Sequence, residues 1–261
     1  MAHILLTNDD GIQAPGLRAL LEALRPLGRI SVFAPDHNWS AAGHTKTMHK
    51  PLRVTRFALP GIEGDEVEAY TSTGAPSDCV ALALLGLLPD RPDVVVSGIN
   101  QGANLGHDVT YSGTVAAAME AAIFGLPAVA VSLDSYESQE FGLAARVGAG
   151  VVAKVQEHGL PAGTLLNVNV PPLAPGELAG TAITRMGRRV YRDVLVDRRD
   201  PRGRPYYWIG GEPPSGHLDE GTDIWAVAQG YVSIPPVHLD MTAHDLIPNL
   251  EAWSLTELST R

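Results

Sequence analysis

The chain has 261 residues, 45% hydrophobic and 18% charged, with a formal net charge of −10. That composition excludes a disordered chain and leaves ample length for a core, while the acidic balance argues against a non-specific polyanion binder. No apolar run approaches the roughly 20 residues of a membrane-spanning helix, and Cys79, the only cysteine, excludes an intrachain disulfide or a multi-cysteine metal site. The opening "MAHILLTNDD" has neither a basic n-region nor a cleavage site, so a cytoplasmic location is expected.

In chain order, "HILLTN" (3–8) reads as a buried strand, and a helix runs from Pro15 to about Gly28. "ISVFAP" (30–35) and "VEAYTS" (67–72) are strands, and the helix "APSDCVALALLGLL" has its start marked by Ser77 and Asp78. "DVVVSGIN" (93–100) must be buried on both faces, because three consecutive valines alternate in direction. The helix "GTVAAAMEAAIFG", the strand "PAVAVSL" (127–133), a helix over 138–157 and the strand "LLNVNV" (165–170) follow. This alternation predicts an α/β fold: a three-layer, Rossmann-like core with a mainly parallel sheet. Beyond "PPLAPGELAG" (171–180) the helical period is lost, and hairpins and loops are expected, with a strand at 230–236 and a short helix at "AHDLIPNLEAW". The expected organisation is a catalytic core over 1–175 and a C-terminal β-hairpin extension over 176–261 that packs on it.

Ligands of open parallel sheets bind beyond the carboxyl ends of the strands. The first strand ends in Asn8, Asp9, Asp10 and Gly11; the second is followed by "DHNWSAAGH", with Ser40 and His44; the valine strand ends in Ser97, Gly98, Ile99 and Asn100. Two carboxylates, a hydroxyl and an amide oxygen can therefore meet, a hard-oxygen set suited to Mg²⁺, Mn²⁺ or Ca²⁺. A divalent ion would also offset the repulsion between adjacent aspartates. Asp9 and Asp10 equally suit a turn or a helix cap, and "NDDG" alone leaves both readings open.

Ser112, Gly113 and Thr114 begin the alanine-rich helix after "NQGANLGHDVTY". A helix start of this kind can hold phosphate through free N–H groups, or can simply be an N-cap. It is neither a Walker A loop nor a "GxGxxG" fingerprint, and Ser97 lacks a "GxSxG" context. His44 and His49 do not match the i, i+4 zinc pair; His44 or His107 could contact phosphate or remain a loop histidine. Asp108 is placed to orient the 100–114 loop. Residues 185–204 hold eight of the 19 basic residues, and Tyr191, Tyr206, Tyr207 and Trp208 among and beside them keep base stacking open, alongside a solvated face or an interface arm.

Six blocks, "LLTNDDGIQAPGL", "APDHNWSAAGH", "TGAPSDCVALAL", "VVVSGINQGANLGHDVTYSGTVAAAMEA", "LLNVNVP" and "GTDIWAVAQGYVSIPP", lie in order between residue 5 and about 236. In this the chain resembles the stationary-phase survival protein family, SurE. The resemblance implies a metal-dependent phosphatase acting on nucleoside 5′- and 3′-monophosphates, with short polyphosphate as a further substrate. The family's metal ligands fall on Asp9, Asp10, Ser40 and Asn100, for one divalent ion per subunit (Mg²⁺ or Mn²⁺, with Ca²⁺ as another occupant). The expected catalytic set is Asp9, Asp10 and Asn100, and Asn8, Gly43, His44, Asn104, Ser112, Gly113 and Thr114 are expected around the phosphate. A homodimer or homotetramer is implied through exchanged C-terminal hairpins, with no stable nucleic-acid partner and no membrane. Two departures stand out: the usual Ser-Gly is Ser40-Ala41, and the late "SITP" reads Ser233-Ile234-Pro235-Pro236. An aspartyl-phosphate phosphatase usually spaces its acids as "DxD", unlike this adjacent pair; a non-catalytic nucleotide- or metal-binding regulatory module is the other alternative.

Overall fold

The computed structural model describes residues 1–62, 67–253 and 255; residues 254 and 256–261, the end of the expected extension, lie outside the described residues. In chain order the elements are β1 (His3–Thr7), α1 (Pro15–Leu24), β2 (Arg29–Pro35), β3 (Val54–Arg56), β4 (Glu68–Ser72), α2 (Pro76–Leu82), β5 (Val94–Gln101), α3 (Gly113–Ile123), β6 (Ala128–Leu133), α4 (Gly142–His158) and β7 (Thr164–Val170). There follow β8 (Gly180–Ile183), β9 (Arg189–Val190), β10 (Asp193–Arg199), β11 (Pro205–Gly211), β12 (Ser215–Gly216), α5 (Asp223–Ala228), β13 (Tyr231–Ile234), β14 (Pro236–His238) and α6 (Ile247–Glu251).

The main sheet runs β3-β4-β2-β1-β5-β6-β7-β13-β8, with β14 also on β7. From β4 across to β7 every pair is parallel. Successive strand residues feed opposite cores, as the period of two requires. Ile4, Leu6, Val94, Val96, Val129 and Val131 pack with α1 and α4, while Leu5, Val95, Ala128 and Ala130 pack with α2 and α3. Residues Gly113–Ala122 of α3 are buried all round, which small alanines permit at close approach to the sheet. Among the described residues no helix is long and apolar enough to cross a membrane.

Within the parallel strands from β4 to β7, strand order reverses at one place. From β1 the chain builds outward through β2 to β4, then returns to lay β5 on the other edge of β1 and continues to β7. The crevice between the ends of β1 and β5 is thus the topological switch point, where ligands of such sheets bind.

Several elements depart from the sequence reading. Ser77 does not cap α2: Asp78 Oδ2 accepts the Ala75 N–H at 2.9 Å, and the Ser77 hydroxyl instead donates to the Thr45 carbonyl. β3 pairs antiparallel with β4, and α5 forms in the stretch read as loops; neither is expected from pattern, being three and six residues long. The hairpins after residue 171 are β10–β11 and the β9–β12 pair, while β8 and β13 join the main sheet.

Candidate active site

The exit of β5 is shaped by glycine. Gly98 has φ +138, and a Cβ there would overlap the Val131 carbonyl oxygen of β6. The ladder to β6 shifts register between Gly98 and Asn100, a bulge that turns Asn100 toward the crevice. The Asn100 Nδ2 donates to the Gly102 carbonyl at 2.7 Å. That bond fixes the amide with its nitrogen engaged and its oxygen available.

Asp9 leaves β1 into the same crevice and is only 3% exposed. Its Oδ1 accepts the Thr114 hydroxyl from the first turn of α3. A Cβ on Gly113 would sit 2.8 Å from the Asp9 Cβ and 2.9 Å from its Oδ2, so a missing side chain makes room for this carboxylate. Burial raises the Asp9 pKa to about 6; the Asp10 charge adds to the rise and the Thr114 hydrogen bond opposes it. Asp10 is half-buried and its pKa is likewise raised by burial, against a backbone hydrogen bond at Gln101 and the Asn38 Nδ2, which donates to Oδ1 at 2.9 Å.

The loop after β2 closes over the crevice. Trp39 N–H donates to the Asp9 carbonyl (2.8 Å), and Ser40 N–H to the Asn38 Oδ1 (2.7 Å). Ala41 holds φ +59, the left-handed region that favours glycine. Farther along, Glu120 of α3, 3% exposed, takes the His44 Nε2 at 2.9 Å and the Lys46 Nζ at 2.7 Å. Burial acts to raise the Glu120 pKa, but those two partners outweigh it and hold the group below its ordinary value.

A cavity of about 240 Å³ opens here, lined by Asp9, Ser40, Asn100, Asn104 and Ser112 among the residues expected from sequence. The Ser112 hydroxyl accepts the Val115 N–H at 3.1 Å, so it caps α3 and keeps its own proton for a ligand. Asn104 is held by Ser132, Asn167 and Asn169 at 2.8–3.2 Å. Five expected contacts, Asn8, Gly43, His44, Gly113 and Thr114, do not line the cavity; Gly113 and Thr114 stand behind it against Asp9, and the other three have their groups engaged elsewhere. Asn8 uses both ends of its amide on Gly11, Gly43 gives its N–H to the Tyr111 carbonyl, and His44 faces Glu120. Asp10 stands beside the lining, tied to the Ser40 loop through Asn38.

The C-terminal residues complete one wall. Asp223, fully buried, accepts the Gly106 N–H (2.8 Å) and the Gly187 N–H (2.7 Å), clasping residues 185–216 against the 102–110 loop. Arg189 Nε and the Tyr191 hydroxyl then reach Asp108, each at 2.6 Å. Burial and the Asp108 carboxylate raise the Tyr191 pKa. Of the arginine-rich run and its aromatics, none lines the cavity itself; Asp108, Tyr111, Tyr136 and Pro214 do. Tyr111 is passed over within the 100–114 loop that the sequence reading does examine, and the exit of β6 is left uninspected. The exit of β6 carries Tyr136, and the same rule applied there would have found it.

The donor chemistry fits a hard divalent cation. A nearly buried carboxylate beside a second one, with no lysine or arginine among their hydrogen-bond partners in the described residues, faces a hydroxyl and a fixed amide oxygen. Among the described residues no group of three or more His, Cys, Asp or Glu could hold a metal, so any site must draw on neutral oxygens of this kind.

A model of the family described as "Survival protein SurE" matches residues 4–193. The 5′-nucleotidase SurE of Chloroflexus aggregans is 52% identical over 96% of this chain and 98% of its own, and that of Symbiobacterium thermophilum is 49% identical over 98% and 100%. The crystal structure of the SurE protein from Aquifex aeolicus superposes with a TM-score of 0.81 at 41% identity, covering 97% of this chain and 99% of that one.

Proposed function

The chain belongs to the SurE family, and from that premise we propose that it hydrolyses nucleoside 5′-monophosphates in the Asp9 cavity with one divalent metal ion. The observation that carries this reading is the buried Asp9 carboxylate, wedged between Gly113 and Thr114 at the start of α3 and facing Asn100 across the strand switch. Asp9, Asp10, Ser40 and the Asn100 oxygen would hold the ion. Bound there, a Mg²⁺ or Mn²⁺ ion supplies charge neutralisation to a phosphate and an acidified water.

The chain's own groups do the rest. The Ser112 hydroxyl and the Gly113 N–H at the start of α3 donate to phosphate oxygens, aided by the positive end of the helix dipole; the Val115 N–H is already spent on Ser112. The Thr114 hydroxyl, given to Asp9, fixes which carboxylate oxygen faces the substrate. Asp9 then takes the proton of the attacking water while the P–O bond to the nucleoside breaks and the nucleoside oxygen leaves, picking up a proton to give the alcohol. In the alternative Asp9 attacks phosphorus itself, expels the nucleoside, and the resulting acyl phosphate is hydrolysed by water. The same constellation accepts 3′-monophosphates and short polyphosphate, since nothing in it addresses more than the phosphate. The residues from 176 onward act as the oligomerisation extension, supported by the exposed Leu195, Trp208 and Ile209 on β10 and β11.

Phosphate release from a panel of 5′- and 3′-monophosphates and tripolyphosphate, with Mg²⁺, with Mn²⁺ and with chelator, tests the reading. Turnover is expected with metal and its loss with chelator. Nucleotide binding without turnover under any metal would make the chain a regulatory module, and a trapped phospho-aspartate would assign Asp9 the nucleophile's role.

A further inference from the structure

The cavity that holds Asp9 and Ser112 is about 240 Å³. Sites that enclose an entire drug-sized ligand run to roughly 300–1,000 Å³, so a nucleotide with its phosphate on that floor must carry its base out to the rim. Two of the rim residues are tyrosines whose side chains face solvent: Tyr111 is 60% exposed and Tyr136 is 79% exposed. A single exposed tyrosine needs no explanation. Two on one small polar cavity, from loops following different elements, call for one.

Both rings stand on fixed backbone. Tyr111 gives its N–H to the Asp108 carbonyl (3.0 Å) and takes the Gly43 N–H on its own carbonyl (2.9 Å). The Tyr136 carbonyl accepts the Gln101 Nε2 at 2.6 Å, and its ring lies so close over Gly102 that a Cβ there would overlap it. Two of the polar groups on the rim are already engaged. Gln101 spends its amide nitrogen on Tyr136, and both Asp108 oxygens are taken by Arg189 and Tyr191.

We propose that Tyr111 and Tyr136 form a stacking platform that binds the nucleobase by its face. The proposal rests on the nucleotidase reading above and adds the subsite that separates a nucleotide from a plain sugar phosphate. Ring faces attract every base, because each base presents a π-face to stack on.

The test is steady-state kinetics on adenosine, uridine and guanosine 5′-monophosphates and on ribose 5-phosphate, for the wild type, Tyr111→Ala, Tyr136→Ala, the double variant and the two Phe variants. The wild type is expected to show a lower KM for every nucleotide than for ribose 5-phosphate. Each Ala change should raise nucleotide KM by about fivefold to a hundredfold with little change in kcat. The double variant should bring the ratio of the two KM values toward one, and the Phe variants should restore it. Equal KM for nucleotide and ribose phosphate in the wild type, or equal effects of the variants on both, overturns the platform while leaving the phosphatase intact. If the wild type turns over neither substrate, the hydrolase reading fails separately. Isothermal titration calorimetry with the nucleotides then decides the platform: binding lost in the double variant supports it, and no binding in the wild type overturns it.

Discussion

The exits of β1 and β5 and the β10–β11 hairpin both project beyond the sheet, yet their side chains meet opposite fates. At the exits Asp9 is nearly buried and hydrogen-bonded, Asn100 is locked by Gly102, and the covering loop is stapled through Glu120 and Asp78. On the hairpin, Trp208 is 64% and Ile209 83% exposed, with few side-chain ties beyond the strand pairing. The first region is preorganised, its geometry over-determined by packing before any ligand arrives. The second is an apolar surface that a monomer leaves unburied, as an interaction surface is. On the proposed reading, chemistry and assembly would fall on regions held to very different degrees.

That contrast can be broken at several depths. Asp9→Asn should lower kcat by roughly 10²–10⁴-fold while circular dichroism stays native. It should also erase a pH effect. The folded Asp9 keeps its proton to about pH 6 and the unfolded one releases it near 3.8, so metal-free stability falls as pH rises across that window. The rise in Tm on adding Mg²⁺ or Mn²⁺ should therefore grow as pH passes about 6, and vanish in Asp9→Asn.

Gly98→Ala comes next. It places a side chain at φ +138 against the Val131 carbonyl, and should cost about 3 kcal/mol or more in denaturant melts. Glu120→Ala should cost about 1–3 kcal/mol, less than a fully buried ion pair because Lys46 is half-exposed and can rehydrate. Glu120 has its folded pKa lowered, so its contribution is complete above the ordinary value of 4.5 and is lost as pH falls through the lowered one. Melts at pH 7 and pH 4 should show the Ala variant losing less between them than the wild type. Smallest of all, Trp208→Ser with Ile209→Ser should change monomer stability by under about 0.5 kcal/mol, yet reduce the oligomer seen by light scattering. A large stability loss there would erase the distinction between the two regions.

Much of the preorganised region was legible because local pattern and global topology agree in it. Three valines in a row can only be a strand covered on both faces, and the polar residues at its end then had one place to go. What was not legible depends on partners far away in sequence. Ser77 reads as a helix cap until the Thr45 carbonyl competes for it, and Asp223 reads as an ordinary loop acid until it gathers Gly106 and Gly187. The expected phosphate contacts at Gly43 and His44 sit on a loop whose groups turn to Tyr111 and Glu120, partners 68 and 76 residues away in sequence. The Ser40-Ala41 departure has a physical content too: Ala41 occupies a left-handed conformation in which glycine would be at ease.

The reversal of strand order at β1 also sets a sequence of events in time. During synthesis the first 72 residues can complete the half-sheet β3-β4-β2-β1, but they leave one edge of β1 open. That edge is filled only when Val94–Gln101 emerges and inserts beside it. The two aspartates made at the very beginning of the chain therefore wait through some 90 residues of translation before Asn100 joins them. Until then the nascent chain carries an unpaired hydrophobic strand edge, the kind of surface that chaperones guard and aggregates recruit.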